Sequence, residues 1–127
     1  MKDSGLMKDA GSLHRRAMEL ADEAIAARAR KDYRGGQERF RAAFELERQA
    51  AQLVAPTDIE PTRSILHRSA ATLALDCREF GSARELASIA LEGNPPAELR
   101  QELQDVLEAA ESGLRDPLAG SAALSKN

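Results

Sequence analysis

The stretch from residue 66 to residue 96, LHRSAATLALDCREFGSARELASIALEGNPP, constrains the fold more than any other part of the chain. Its first half is so rich in leucine and alanine that one helical stripe cannot hold them, which predicts a helix buried between neighbours. Gly93 is expected to supply a left-handed residue after the second helix, and the two prolines that follow prevent its continuation. Apolar residues of the second half recur on one helix face, at Phe80, Ala83, Ala87, Ala90 and Leu91. The stretch therefore predicts a helical hairpin.

The composition favours helices throughout the chain. Aromatic residues make up only 3% of the 127 residues, tryptophan is absent and alanine is abundant, so helices can approach closely and little strand propensity competes. Apolar periodicity predicts three more helices, over residues 12–31 with Ser12 as the N-cap, over 36–54 and over 97–112. Residues 1–11 and 113–127 lack a sustained period, which predicts a flexible arm and a flexible tail. We expect one all-α domain of five helices over residues 12–112.

The charge balance and the single cysteine indicate which partners and which cellular compartment to expect. A net charge of −3 argues against nucleic-acid binding, which rests on a concentrated basic surface. One cysteine, Cys77, cannot form an internal disulfide, and we expect it to be a small core side chain. No signal peptide and no apolar run long enough for a membrane span are recognisable. These features predict a soluble, cytoplasmic protein without nucleic-acid or membrane partners.

An internal repeat links the second predicted helix to the fourth. The residues Tyr33, Gly36, Phe40, Ala43 and Phe44 have the same mutual spacing as Phe80, Ala83, Ala87, Ala90 and Leu91. Each set begins with an aromatic residue at a corner, followed three positions later by a small residue that lets the paired helix approach. We therefore expect Tyr33 and Phe80 to lie in equivalent surroundings.

This pattern resembles the tetratricopeptide repeat, in which an aromatic residue near the turn is followed by two spaced alanines and then a proline. The second unit matches it at Phe80, Ala83, Ala90 and Pro95, and the first unit matches it at Tyr33, Phe40 and Ala43. The chain departs from the family in spacing, since its units are 47 residues apart rather than about 34. The resemblance implies a right-handed stack of two such hairpins with a C-terminal capping helix.

The same resemblance implies a partner groove lined by the first helix of each hairpin. The lysine and asparagine set with which some family members grip a peptide carboxylate is absent, so an apolar helical or extended segment of a protein is the expected ligand. We expect a non-enzymatic binding module without a cofactor, although a homodimer that covers the groove is an alternative. The groove positions are Met18, Ala21, Ile25 and Arg28 in the first unit and Ile65, Arg68, Thr72 and Asp76 in the second.

Few side chains in the sequence suggest chemistry. Arg63 and His67 resemble the arginine–histidine pair of HEPN-type ribonucleases, but three residues separate them where that motif has four to six. The pair is expected in an exposed first helical turn, and ribonuclease activity is the enzymatic alternative. His14 is expected at a charged helix start without a partner. Glu47 interrupts an apolar stripe and is expected at its rim. Two histidines and one cysteine form no known metal-ligand spacing.

Overall fold

Five α-helices make up most of residues 2–116, which are the residues that the computed structural model describes, with side chains from residue 5 onward. Each helix packs against the next one along the chain, and α3 also packs against α5. No strand occurs within the described range. The predicted all-α class and the number of helices are confirmed. The helices are α1 (Lys2–Ala29), α2 (Tyr33–Val54), α3 (Thr62–Asp76), α4 (Phe80–Glu92) and α5 (Ala97–Arg115).

The first helix begins earlier than the sequence predicted. Ser12 is not its N-cap, because α1 starts at Lys2 and runs through the segment that was expected to be a flexible arm. Leu6 and Met7 pack against the core and Ala10 is buried, so the apolar stripe of α1 continues toward the N-terminus. The long α2 supplies the surface that this extra length of α1 covers. Packing against a neighbouring helix therefore outweighs the two glycines in this segment.

The last helix is also longer than predicted. It continues through Gly113 to Arg115, whereas the sequence placed its end at residue 112. Gly113 lies against the ring of Phe80, and a β-carbon there would clash with that ring. Residues 117–127, which make up the rest of the expected flexible tail, lie outside the described residues.

The corners between α1 and α2 and between α3 and α4 share one backbone geometry. Lys31 and Arg78 occupy the same place in the two corners, and both have left-handed backbones, with φ of 68° and 61°. In each corner the next residue donates its N–H to the carbonyl five positions earlier, at 2.8 Å. Gly93, for which the sequence predicted the left-handed conformation, instead has φ of −84°. The 47-residue repeat inferred from the sequence is therefore present in the backbone of the corners.

The packing around the two corners is not equivalent. Tyr33 is 64% exposed, whereas the ring of Phe80 is half-buried and lies against Gly113 of α5. The expectation that Tyr33 and Phe80 have the same surroundings is therefore wrong. The small residues of the repeat do agree, since Gly36 and Ala83 are both buried. The physical reason for the difference is that α5 packs closely on α3 and α4, while α1 makes almost no contact with α3.

None of the helices in residues 2–116 combines the length and the apolar character that crossing a membrane would require.

Candidate functional site

A cleft of about 300 Å³ lies between α1 and α3, and we call it the α1–α3 cleft. Most of the groove residues predicted from the sequence line it together, whereas Arg28 and Ile65 do not. The resemblance to the tetratricopeptide repeat implied these positions, and the 3.6-residue period of a helix explains why those within one helix share a face. The lining residues are Met18, Ala21 and Ile25 of α1, Phe40 of α2, and Arg68, Ser69, Thr72, Leu73 and Asp76 of α3.

The wall and the floor of the α1–α3 cleft are mainly apolar. Ile25 is 58% exposed, which is unusual for a large aliphatic side chain, and Thr72 faces it from α3 with its own side chain exposed. Phe40 and Leu73 are buried and close the floor. The sequence analysis had placed Phe40 in the internal repeat but not in the groove. The cleft thus offers an open apolar surface bounded by a packed base.

Charged side chains border the α1–α3 cleft and are already held by neighbours. The guanidinium of Arg28 lies 4.6 Å from the centroid of the Phe40 ring, in a cation–π contact. Partial burial raises the pKa of the Asp76 carboxyl, although the carboxyl still reaches solvent, and the nearby charge of Arg28 opposes that rise. Arg68 donates to Glu102 of α5 at 2.6 Å. Ile65 is half-buried outside the cleft.

A buried acid–base pair joins α1 to α2 close to the α1–α3 cleft. Glu47 is 0% exposed, and its Oε2 lies 2.7 Å from Nδ1 of the partly exposed His14. The expectations that Glu47 lies at the rim and that His14 has no partner are both wrong. The reason is that α1 packs along α2, which buries Glu47 and brings His14 within hydrogen-bonding distance of it. The sequence signal was a polar residue interrupting an apolar stripe on each helix.

The environment of Glu47 disfavours its charged form. Burial raises the pKa of its carboxyl, and the hydrogen bond with His14 opposes that rise. The hydroxyl of Ser69, which lines the α1–α3 cleft, lies close enough to lower the pKa of this carboxyl as well. Within the described residues, however, Oε1 of Glu47 makes no hydrogen bond of ordinary geometry. A buried carboxylate with one unsatisfied oxygen is a destabilising arrangement.

Arg63 is buried and forms a clamp between two helix ends. Its Nε donates to the carbonyl of Ala55 at 2.8 Å, and its Nη2 donates to that of Ile89 at 3.1 Å. A longer contact of 3.4 Å joins Nη1 to the carbonyl of Ala90. These carbonyls lie at the C-terminal ends of α2 and α4, where a cation complements the helix dipole and can bond acceptors that lack an intrahelical partner. The Ala90 carbonyl also accepts from the backbone N–H of Gly93. The expectation of an exposed pair at Arg63 and His67 is wrong, because this turn lies between α2 and α4.

No protein-family model, curated protein or solved structure matches this chain.

His67 lies one helical turn beyond Arg63 and is 1% exposed. Its Nδ1 donates to the backbone carbonyl of Arg63 at 2.7 Å. Burial lowers the pKa of the imidazole, so the neutral form is favoured. The ring lines a second cavity of about 340 Å³ between α2 and α4, which we call the α2–α4 cavity. With the guanidinium of Arg63 bonded to carbonyls, the pair has the geometry of a structural contact rather than of a catalytic one.

Cys77 is buried at the end of α3, and its prediction as a core side chain is confirmed. Burial raises the pKa of its thiol to about 11, so the nucleophilic thiolate is scarce at neutral pH. Within the part of the chain that the structure describes, no three His, Cys, Asp or Glu side chains are placed to hold a metal ion. The α1–α3 cleft and the α2–α4 cavity are therefore the two candidate binding sites considered below.

Proposed function

We propose that the chain is a tetratricopeptide-like helical module that binds an amphipathic segment of another protein. In this proposal the two hairpins stack in the right-handed sense of that family, and α5 caps the stack. The apolar side chains of the partner segment occupy the α1–α3 cleft. Its basic side chains pair with the outer face of α5.

The observation that carries the proposal is the open apolar surface at Ile25. A large aliphatic side chain that is 58% exposed beside a cleft of about 300 Å³ is a feature that folding alone does not require. Recognition of a segment in such a groove relies on apolar anchors at helical or alternating spacing. Met18 and Ala21 extend the same surface along α1. The cleft is thus long enough to receive more than one anchor.

The acidic outer face of α5 indicates that the partner segment is basic. The ion pair between Arg68 and Glu102 joins the rim of the α1–α3 cleft to this helix. A segment that leaves the cleft at Arg68 therefore meets the outer face of α5, where carboxylates outnumber cations. Complementary charge supports a segment with lysine or arginine after its apolar anchors. The exposed carboxylates of α5 are Glu98, Glu102, Asp105, Glu108 and Glu111.

Peptide-display selection on the full chain tests this proposal. Peptides retained by the wild-type protein are counter-selected against the Ile25→Asp variant, and their affinities are measured by fluorescence polarisation. We expect peptides with apolar anchors and basic residues, which bind the variant at least about tenfold more weakly because a charge replaces an apolar contact. Chemical-shift mapping should place the bound peptide on α1 and α3.

The matched control is Tyr33→Asp, which places the same charge at another exposed apolar residue outside the α1–α3 cleft. This control should bind the selected peptides as the wild type does. Equal binding by all three proteins, or selected peptides without a basic bias, contradicts the proposal. Light scattering tests the alternative, in which a second copy of the chain occupies the cleft. A wild-type dimer that the Ile25→Asp substitution dissociates would support that alternative.

A further inference from the structure

The α2–α4 cavity is separate from the α1–α3 cleft and shares no lining residue with it. It runs between one face of α2 and one face of α4, and α3 contributes His67. Its volume of about 340 Å³ lies within the range of small-molecule sites. Nothing in the peptide-binding proposal uses this cavity.

An unsatisfied hydrogen-bond acceptor faces the α2–α4 cavity. Because the carbonyl of Arg63 can only accept, the 2.7 Å contact with it fixes the proton of His67 on Nδ1 and leaves a lone pair on Nε2. Among the described residues Nε2 has no hydrogen-bond partner, yet it is not sealed from the open volume. Burial favours the neutral imidazole that keeps this lone pair available. Nε2 is therefore an acceptor that a donor group on a ligand in the cavity can reach.

The walls around His67 suit an apolar ligand body. Phe44 of α2 and Leu86 of α4 are buried and present their surfaces to the cavity, and Ile89 adds a half-buried aliphatic side chain. Ligand sites of this size combine such apolar walls with a small number of placed polar groups. In the α2–α4 cavity, the polar group that can fix a ligand is Nε2 of His67.

The rim of the cavity disfavours an anion. Arg48 donates to Glu45 at 2.7 Å, and Arg41 donates to Glu79 at 3.1 Å, so both guanidiniums are already matched by carboxylates. Glu85 adds a further carboxylate to the lining. An anionic ligand would have to displace a glutamate from its arginine, and the remaining glutamates of the rim would repel it. A neutral or cationic ligand meets no such opposition.

We propose that the α2–α4 cavity binds a small apolar molecule carrying one hydrogen-bond donor, a hydroxyl or an amine, which donates to Nε2 of His67. The apolar body of the ligand packs against Phe44, Leu86 and Ile89. The site is independent of the proposed peptide groove, so either can hold without the other.

Four probes on the full chain test the site by nuclear magnetic resonance: phenol and benzylamine, which carry a donor, anisole, which lacks one, and benzoate, which is anionic. Phenol or benzylamine should shift the ¹⁵N resonance of His67 Nε2 upfield in a saturable way. Anisole and benzoate should bind about tenfold more weakly or worse, since they leave Nε2 unpaired or meet the glutamates. Which of the two donors binds more tightly identifies a hydroxyl or an amine as the natural group.

Two variants separate the site from a general effect on folding. Ser82→Trp puts a bulky side chain at a lining position on α4, leaves His67 unchanged in the chain, and should abolish binding of every probe. His67→Phe should make phenol and anisole bind equally. The control is Tyr33→Asp, at an exposed position outside both the cavity and the cleft, and it should bind every probe as the wild type does. Equal binding of phenol and anisole to the wild type, no saturable shift with either donor, or full binding by Ser82→Trp would overturn the proposal.

Discussion

The guanidinium of Arg63 occupies the space in which a side chain on Gly93 would stand. Arg63 comes from the first turn of α3, and Gly93 immediately follows α4, so the contact joins the start of one helix to the end of the next. Because Gly93 has φ of −84°, space rather than a left-handed backbone explains the glycine. The absence of a side chain at one residue thus allows a buried cation to satisfy the ends of two helices.

Replacing Gly93 with alanine should displace this clamp. The added methyl group collides with Nη1 of Arg63, and carbonyls of α2 and α4 lose their donor. We expect a loss of about 1–3 kcal/mol in the free energy of unfolding, measured in urea. Gly81→Ala is the matched control, because nothing lies within 4 Å of its added carbon and alanine favours a helix. A Gly93→Ala protein as stable as Gly81→Ala would disprove the clamp.

Replacing Glu47 with glutamine should change how stability depends on pH. The folded-state pKa of Glu47 is raised above its ordinary value of 4.5, so the penalty of a buried charge is present above the folded pKa and disappears as pH falls toward 4.5. At about pH 7 the Glu47→Gln variant should therefore be more stable than the wild type. This advantage should disappear near pH 4.5, where the wild-type carboxyl is protonated in the folded state. Unfolding free energies of both proteins at the two pH values provide the measurement. Glu38→Gln, at an exposed site on α2, should stay within about 0.5 kcal/mol of wild type throughout.

His67 should contribute a pH dependence of the opposite sense. Its folded pKa is lowered below 6.5 by burial, so its stabilising contribution is complete above 6.5 and is lost as pH falls through the folded pKa. Relative to His67→Gln, wild type should lose stability over that interval. Proton resonances of the imidazole give the pKa directly. A titration midpoint at or above 6.5 would contradict the buried, neutral ring.

Phe80→Ala and Tyr33→Ala should differ although the two residues begin equivalent helices. Phe80 packs against Gly113 of α5, whereas Tyr33 is 64% exposed. We expect truncation at Phe80 to destabilise the protein by about 1–3 kcal/mol and truncation at Tyr33 by less than about 0.5 kcal/mol. Thermal unfolding of both variants measures the difference. Equal effects would mean that α5 does not cover the second corner in solution.

Cys77 should resist alkylation while the protein is folded. Its thiol is buried and its pKa is raised to about 11, so roughly one molecule in ten thousand carries the thiolate at neutral pH. Iodoacetamide followed by mass spectrometry should modify Cys77 only in urea. In a Thr72→Cys variant, the new cysteine stands at an exposed position of the α1–α3 cleft and should react without denaturant. Rapid reaction of Cys77 in the native protein would show that this end of α3 opens.

Local pattern was sufficient for much of the fold and for part of the candidate site. The resemblance to the tetratricopeptide repeat implied Met18, Ile25, Arg68 and Thr72 as groove residues, and these four do line one cleft. Those of one helix share a face because the angle between successive side chains is a property of the helix itself. The predicted start of α1 and the predicted end of α5 were wrong, because both helices are longer than the local pattern indicates. There, packing against a neighbour decides whether a marginal helical turn forms, and no local window contains that neighbour.

The sequence by itself determined five helices and their apolar faces, since each depends on residues close together in the chain. It did not identify Lys31 and Arg78 as the left-handed residues of the two corners. Only the tertiary structure decided that α3 packs on α5 while a cleft separates it from α1. It also decided that Glu47 meets His14, a residue 33 positions away. The physical reason is that burial and polar pairing depend on which helices share space, and helix-to-helix distances are set by the packing of whole faces.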